Sequence, residues 1–336
     1  MARKTFFKVI TSPELIEKIN PENKKLVEKF LKEKATRSSD TTIYNYRSDL
    51  NIFFVYNLLH NDNKFFIDIK KIEFSDFFSY VVDELKWGSA RFGRMRACLS
   101  SFSNFIEKFF DESYPAFRNV ILKVVENMPK SYAREKTILT EDQVNSLLEH
   151  LSKNDPQEAC FVALAICSGA RLSELLRFTT DIIDPENTAF EGMFIETTKD
   201  IKTKGRSRTG KLMKKYILKS VFMPYYEAWL PEREKILEEK SKIHDSIFIT
   251  REGNPAAVTT VRNWIKDWEK FLGITVYPHS FRHYIVTQLT RMGINSDLIV
   301  ELMGWTSGEM YKLYLDLTAK DREWKGLDKL TNLSVK

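Results

Sequence analysis

The segment Pro278-His279-Ser280-Phe281-Arg282-His283 decides how this chain folds and what it can do. Two other segments give it meaning: Ser168-Gly169-Ala170-Arg171-Leu172-Ser173-Glu174 upstream, and Gly304-Trp305 with Tyr314 downstream. Together they supply two guanidinium groups, an imidazole, an indole N–H and a phenol. Guanidinium forks bind two phosphate oxygens at once, and an indole N–H can donate to a third. These residue types are the ones needed to attack a phosphodiester without a metal ion.

In their order and spacing, these segments resemble the tyrosine recombinases, the integrase and Xer-type family. The resemblance runs roughly from Asn23 to the C-terminus. It implies a mainly α-helical fold with a small β-sheet, in which a helical core-binding domain that clamps DNA precedes a tyrosine-recombinase catalytic domain. It also implies site-specific DNA strand exchange through a 3′-phosphotyrosine, with no metal ion, nucleotide or other cofactor. The implied partners are double-stranded DNA with inverted-repeat half-sites and, on paired sites, a homo-tetramer.

Length and composition are compatible with this organisation. A chain of 336 residues with 43% apolar residues can form two packed domains. The net charge of +6 is only weak evidence for a nucleic-acid partner. The three cysteines, Cys98, Cys160 and Cys167, have no metal-binding spacing. With no signal peptide and no apolar run of membrane length, the chain is expected in the cytoplasm, without a membrane partner.

Composition changes along the chain predict four segments. Residues 1–20 form a lead segment, and 21–128 form the helical core-binding domain. A polar stretch with a helix-stopping proline, 129–137, is the predicted linker. Residues 138–336 form the catalytic domain. An apolar stripe in its tail, formed by Trp324, Leu327, Leu330 and Leu333, predicts a C-terminal helix from about Ala319. The resemblance implies that this helix docks into a neighbouring subunit and serves assembly, and packing on its own catalytic domain is the alternative.

Apolar periodicity and capping residues predict the individual elements. In the first domain, helices are expected near 12–18, from Pro21, after the caps at 38–40, and near 72–85, 89–109 and 115–127. In the second domain, a capping box at 140–143 opens a helix, and an apolar helix covers 160–167. Strand-like residues at 193–198 and 212–218 flank a basic turn, and further helices are expected at 220–239, 256–271, 280–292, 296–303 and around Tyr314.

The two arginines are predicted to stabilise the phosphorus transition state. Arg171 follows a Ser-Gly-Ala break at which the chain can turn tightly, and Arg282 supplies a second fork from another helix. His279 is interpreted as the acid–base partner, whereas His283, one turn on, is expected to pack or bond locally. Glu174 shares a helical face with Arg171 and is interpreted as a structural partner without its own chemistry.

Trp305 and Tyr314 complete the predicted catalytic set. Most members of the resembled family carry histidine at the position of Trp305, and a minority carry tryptophan, whose N–H can still donate to phosphate. Tyr314 follows Trp305 by nine residues, a spacing that matches the family and favours Tyr314 over Tyr311 as the nucleophile. A phenol with a pKa near 10 is a poor nucleophile, so nearby arginines and a histidine are expected to favour the phenolate.

A catalytic lysine is expected in the basic stretch 199–219, which holds nine basic residues and one acidic residue. In the resembled family, a lysine of the β-hairpin in this domain protonates the leaving 5′ oxygen. Lys204, next to a glycine at the presumed turn, fits best, Lys202 is second and Lys199 is third. The sequence leaves the choice among the three open.

Several basic residues are candidates for contact with DNA phosphates, because arginines near helix starts suit phosphate binding. For each one alone, an ordinary solvated surface arginine is an equally good interpretation. The candidates are Arg37, Arg47, Arg91, Arg94 and Arg96 in the first domain, with Lys202 and Arg206 in the basic stretch.

Other functions remain open at this level. The chain could be a catalytically silent DNA-binding repressor with a recombinase fold, which would bind DNA without a covalent adduct. It could instead be a tyrosine relaxase of a mobile element, which would nick one strand without synapsis. A type IB topoisomerase shares the chemistry, but its sequence-independent relaxation of DNA fits a chain of this size and composition less well.

Overall fold

The structure is a computed structural model that describes residues 10–129, 138–203, 210–305 and 308–315. The chain divides into two compact units, each with its own hydrophobic core. Almost all of the predicted linker lies outside the described residues, as do Lys204, Arg206 and the predicted C-terminal helix. None of the helices in the described parts is both long enough and apolar enough to cross a membrane.

The first unit is helical, as predicted. Its first three helices begin after side chains that cap a free backbone N–H, namely Ser12, Asn20 and Ser39. The unit contains α1 (Pro13–Glu17), α2 (Pro21–Ala35), α3 (Asp40–His60), α4 (Lys71–Asp83), α5 (Ser89–Phe109) and α6 (Ile121–Val124).

Phenylalanine rings fill the core of the first unit. Phe53 packs edge-on against Phe77 and stacks with Phe74, while Phe66 and Phe102 lie edge to face at 4.8 Å. Such aromatic pairs add stability beyond the area that they bury. The core therefore joins α3, α4 and α5 around Phe66, which begins the short 3₁₀ helix Phe66–Asp68.

The prediction of a helix over 115–127 is wrong except for the single turn α6. Asn119 accounts for the difference. Its side-chain amide donates to Ser100 Oγ at 2.9 Å and to Asn104 Oδ1 at 2.7 Å, both on α5. Its carbonyl oxygen accepts the N–H of Ile121 at 3.1 Å. These bonds hold the preceding backbone against α5, and the helix begins only after them.

The second unit is built around α8, which is buried from Ala159 to Ser168. This helix packs against α7, α10 and α12, so residues at its C-terminal end lie inside the unit. The helices of the unit are α7 (Glu141–Asn154), α8 (Pro156–Ser168), α9 (Leu172–Leu175), α10 (Lys219–Glu239), α11 (Val258–Leu272), α12 (Pro278–Arg291), α13 (Ser296–Met303) and α14 (Glu309–Leu315).

Two small antiparallel sheets complete the second unit. The first contains β1 (Thr188–Ala189), β2 (Phe194–Glu196) and β5 (Tyr216–Leu218), with Ile195 opposite Ile217. The second pairs β3 (Ile201–Thr203) with β4 (Lys211–Met213). The sequence predicts the strands around 193–198 and 212–218. The additional hairpin β3–β4 divides the second of these segments between two sheets.

Candidate active site and nucleic-acid interface

Arg171 is positioned by a sharp reversal of the chain at the end of α8. Gly169 has φ of +55°, and a Cβ atom there would lie only 2.5 Å from the sulfur of Met303. The positive φ favours glycine at this position, and a Cβ atom would in addition force the Met303 side chain to move. The reversal makes Arg171 the residue that caps α9, where its backbone N–H and Nη1 donate to the carboxylate of Glu174 at 3.1 and 2.9 Å.

Glu174 is shared between Arg171 and a buried lysine that the sequence does not single out. Lys215 Nζ lies 3.0 Å from Glu174 Oε2, and the lysine is only 1% exposed. Burial by itself raises the pKa of Glu174, but Lys215 and Arg171 together hold it below its ordinary value. Burial lowers the pKa of Lys215, and Glu174 opposes that effect. Glu174 therefore has the structural role that the sequence predicts, and its partners are both Arg171 and Lys215.

Arg282 enters the same place from α12 and is 4% exposed. Its guanidinium donates to the carbonyl oxygens of Gly169 and Met303, the latter at 3.0 Å, and its central carbon lies 5.3 Å from the ring centre of Trp305. Within the described ranges, no carboxylate forms an ion pair with it. Burial and the neighbouring Arg171 lower the pKa of Arg282 to about 10.

The charges at this place do not balance. Among the described residues, three cations, Arg171, Lys215 and Arg282, lie close to a single carboxylate, Glu174, and Lys215 and Arg282 are almost fully buried. Trp305 adds a directional donor: it is 7% exposed, and its Nε1 meets no acceptor among the residues that the structure describes. Buried positive charge and an unsatisfied donor are both unfavourable without an anion. The arrangement is therefore suited to a phosphate group.

Tyr314 lies on α14 between two other rings of the site. It is 2% exposed and stacks on Trp305, with ring centres 5.8 Å apart. Its hydroxyl oxygen lies 2.7 Å from His283 Nδ1. His279 is exposed, one turn earlier on α12, and its ring centre is 6.3 Å from that of His283. Of the two histidines, the structure places His283 in contact with the phenol, whereas the sequence favours His279.

The expectation that the surroundings favour the phenolate of Tyr314 needs correction. Burial raises the pKa of Tyr314 above its ordinary value, although Arg282 and Arg171 act in the opposite direction. The extent of burial depends on packing between α12, α13 and α14, which no local motif specifies. Burial therefore disfavours the phenolate, and the phenol must lose its proton during an attack.

Of the three lysine candidates, neither Lys202 nor Lys199 forms a contact with the cluster in the described residues. Lys204 lies outside the described residues. Lys202 is exposed on β3, and its backbone carbonyl accepts a bond from Arg177 Nη1 at 2.8 Å. Lys199 forms an exposed ion pair with Asp181. The choice among the three stays a prediction.

In the first unit, Arg91 and Arg94 converge on one carboxylate. Asp49 is buried on α3, and both arginines on α5 form ion pairs with it, Arg94 Nε at 3.2 Å. Arg91 also lies over the ring of Trp87 at 4.5 Å. The side chain of Arg94 remains 51% exposed, so part of its guanidinium can still face a ligand.

The other predicted DNA-binding arginines have different surroundings. Arg47 and Arg37 form exposed ion pairs with Glu28 and Glu33 on α2. Arg96 donates to the backbone carbonyls of Leu122 and Val125 and thereby holds the α6 segment in place. These bonds give Arg96 a structural role, and its contact with DNA stays a prediction. Its N–H groups are already bonded to protein oxygens, a use that the arginine-rich start of α5 does not reveal.

Comparisons with known proteins agree with this geometry. The profile of the phage integrase family matches residues 137–321. Tyrosine recombinase XerA of Pyrococcus furiosus is 27% identical over 201 residues, or 59% of this chain and 61% of XerA, which is less than two thirds of that protein. XerH recombinase in a post-cleavage complex with a palindromic difH substrate has a TM-score of 0.64 at 16% identity, covering 94% of this chain and 97% of XerH.

A second solved structure, a lambda integrase tetramer bound to a Holliday junction, has a TM-score of 0.61 at 17% identity and covers 87% of this chain and 76% of that one. At this identity the likeness shows the fold, which is the predicted one: mainly α-helical with small sheets. The family profile covers more than half of the chain and includes the whole cluster from Arg171 to Tyr314. The chain therefore belongs to the phage integrase family of tyrosine recombinases.

Proposed function

We propose that this protein is a site-specific DNA recombinase that cuts and rejoins DNA through a 3′-phosphotyrosine at Tyr314. The observation that carries the proposal is the surplus of buried positive charge around Glu174, next to a nearly buried phenol. An anion with several oxygens, held against a hydroxyl nucleophile, is what this surplus can accommodate. The phosphodiester of DNA supplies both the charge and the reactive phosphorus.

The proposed chemistry follows from the positions of the donors. Arg171 and Arg282 bind the non-bridging phosphate oxygens, on which negative charge builds up in the transition state. Trp305 donates one further hydrogen bond from its indole N–H. Tyr314 attacks phosphorus, and the 5′ oxygen leaves with a proton from Lys204, or from Lys202 or Lys199. His279 contacts a phosphate oxygen. The phosphotyrosine keeps the bond energy, so no nucleotide is needed, and the two guanidinium groups take the place of a metal ion.

The DNA substrate and the assembly belong to the same proposal. Residues 21–128 form the core-binding domain, in which Arg91 and Arg94 contact backbone phosphates, and 138–336 form the catalytic domain. The substrate is double-stranded DNA with inverted-repeat half-sites, and four chains assemble on two sites through the tail helix. The palindromic substrate of XerH and the tetramer of lambda integrase support this arrangement by analogy.

A covalent-adduct experiment tests the function. The target is first located by footprinting inverted repeats beside the gene, and a nicked version of it is then incubated with the protein in a chelator. We expect a denaturant-resistant protein–DNA complex from the wild type. Tyr314→Phe should form none while binding DNA within about threefold of the wild type, because the lost hydroxyl contributes little to affinity.

Tyr311→Phe is the matched control, since Tyr311 lies one turn earlier on α14 and should form the adduct normally. Loss of the adduct in Tyr311→Phe but not in Tyr314→Phe would reject Tyr314 as the nucleophile. A wild-type protein that binds the site without any adduct would be the silent repressor. Cleavage of single strands without synapsis would instead identify a relaxase.

A further inference from the structure

We propose that His283 is the general base of the reaction: its Nδ1 accepts the phenolic proton of Tyr314 as the phenol attacks phosphorus. This inference rests on the proposed function and extends it to a residue that the sequence motifs leave without a chemical role. It is carried by the contact between α12 and α14.

The geometry is that of a base and its proton donor. His283 Nδ1 lies 2.7 Å from the hydroxyl oxygen of Tyr314, within the range of about 2.6–3.2 Å that direct proton transfer requires. The two rings are tilted by 43°, with centres 5.5 Å apart, and Trp305 stacks on the phenol as well. Tyr314 is thus held between an indole and an imidazole, and the imidazole presents a nitrogen to the reacting oxygen.

A base in this position answers a chemical need of the site. Burial favours the neutral phenol of Tyr314, so the proton must be taken away while the new bond forms. Imidazole is the side chain whose ordinary titration lies near neutral pH, which suits general-base catalysis. His279 is exposed one turn earlier on α12, with its ring centre 6.3 Å from that of His283.

The step balances in atoms and protons. The bond from the Tyr314 oxygen to phosphorus forms, the bond from phosphorus to the 5′ oxygen breaks, and the phenolic proton moves to His283 Nδ1. The 5′ oxygen receives its proton from the lysine of the basic hairpin, so positive charge moves from the lysine to the histidine. Rejoining reverses each transfer, and His283 returns the proton to the departing phenol.

Positioning of the phenol by a hydrogen bond is the competing role, and His283→Asn separates the two. The asparagine amide can occupy the place of Nδ1 and keep a hydrogen bond, but it cannot accept a proton at neutral pH. The second change replaces Tyr314 by 3,5-difluorotyrosine, a more acidic phenol of nearly equal size. For each protein, the single-turnover rate of adduct formation is measured on nicked DNA, with the protein in excess.

If His283 is the base, His283→Asn slows adduct formation by about 100-fold or more, with DNA affinity within about threefold of the wild type. Difluorotyrosine at position 314 then raises the adduct-formation rate of the His283→Asn variant at least about tenfold. It changes the wild-type rate far less, because a more acidic phenol depends less on a base. His150→Asn is the control: this histidine stacks on Phe271, away from the site, and its substitution should leave the rate unchanged.

Two results would overturn the inference while leaving the recombinase function intact. One is a wild-type adduct rate in His283→Asn. The other is a slow His283→Asn that difluorotyrosine does not rescue, which would identify positioning alone. Rescue by difluorotyrosine in His279→Asn rather than His283→Asn would assign the base to His279. Absence of any adduct at Tyr314 in the wild type would reject the function itself.

Discussion

Two groups of arginines in this molecule meet a buried carboxylate, and they differ in the charge that remains. In the first unit, Arg91 and Arg94 share Asp49, and half of the Arg94 side chain is exposed. In the second unit, Glu174 faces Arg171 and Lys215, with Arg282 close by and bonded only to carbonyl oxygens among the described residues.

The difference separates two ways of binding phosphate. Surplus charge at an exposed arginine is screened by water and salt, so it suits the weak, repeated contacts that position a DNA backbone. Surplus charge that is buried is unfavourable until an anion neutralises it, so it suits one phosphate held in a fixed place. The first group is therefore expected to govern affinity, and the second to govern the rate of cleavage.

The largest effect on the cleavage rate is expected when a guanidinium group of the site is replaced by an ammonium group, which keeps the charge. Arg171→Lys should lower the single-turnover cleavage rate by about 100- to 1,000-fold, because one ammonium group cannot bind two phosphate oxygens in the transition state. Arg262→Lys, an exposed arginine on α11, is the matched control and should cleave normally. Near-normal cleavage by Arg171→Lys would contradict the proposal that Arg171 and Arg282 together stabilise the transition state.

A second effect is expected in the stability of the second unit. Lys215→Met leaves the carboxylate of Glu174 with one cation fewer in a buried place, which should lower the free energy of unfolding by about 3–5 kcal/mol. The double variant Glu174→Gln/Lys215→Met should recover much of the loss, since no carboxylate is then stranded. Urea unfolding of both variants measures this.

Lys214→Met is the control for the buried pair, because within the described part of the chain the neighbouring Lys214 donates to the backbone carbonyls of Thr197 and Thr198 and to no carboxylate. Its substitution should cost about 1 kcal/mol. Equal losses in Lys214→Met and Lys215→Met would mean that Glu174 does not depend on Lys215.

The smallest effect concerns the exposed arginine of the first unit. Arg94→Ala should weaken DNA binding a few-fold and reduce the slope of log affinity against log salt by about 1, as expected for one lost phosphate contact. Arg118→Ala in the same unit carries the same change in net charge and serves as the comparison. An unchanged salt slope for Arg94→Ala would place this arginine away from the DNA.

Local signals were sufficient for much of the fold and for the cation pair of the site. The cap at Ser39 and the box at Thr140 predict where α3 and α7 begin, because capping depends on a few adjacent residues. The left-handed turn at Gly169 follows from the residue type. Arg171 and Arg282 could be paired because each lies in a recognisable segment.

Features that depend on packing could not be predicted. Lys215 stands in a run of basic residues that reads as exposed, yet the approach of Glu174 buries it. Helical spacing places His279 and His283 one turn apart on α12, but only the position of α14 selects His283 as the neighbour of Tyr314. The loss of helix around Asn119 likewise depends on distant groups of α5.

Arg171 and Arg282 are expected to act on the rate of the reaction, and Arg91 and Arg94 on DNA affinity. The most direct test of this division is the single-turnover cleavage rate of Arg282→Lys and Arg94→Lys on saturating DNA. We expect a fall of about 100-fold or more for Arg282→Lys and a rate within about threefold of the wild type for Arg94→Lys. Equal rates for the two variants at saturation would contradict it.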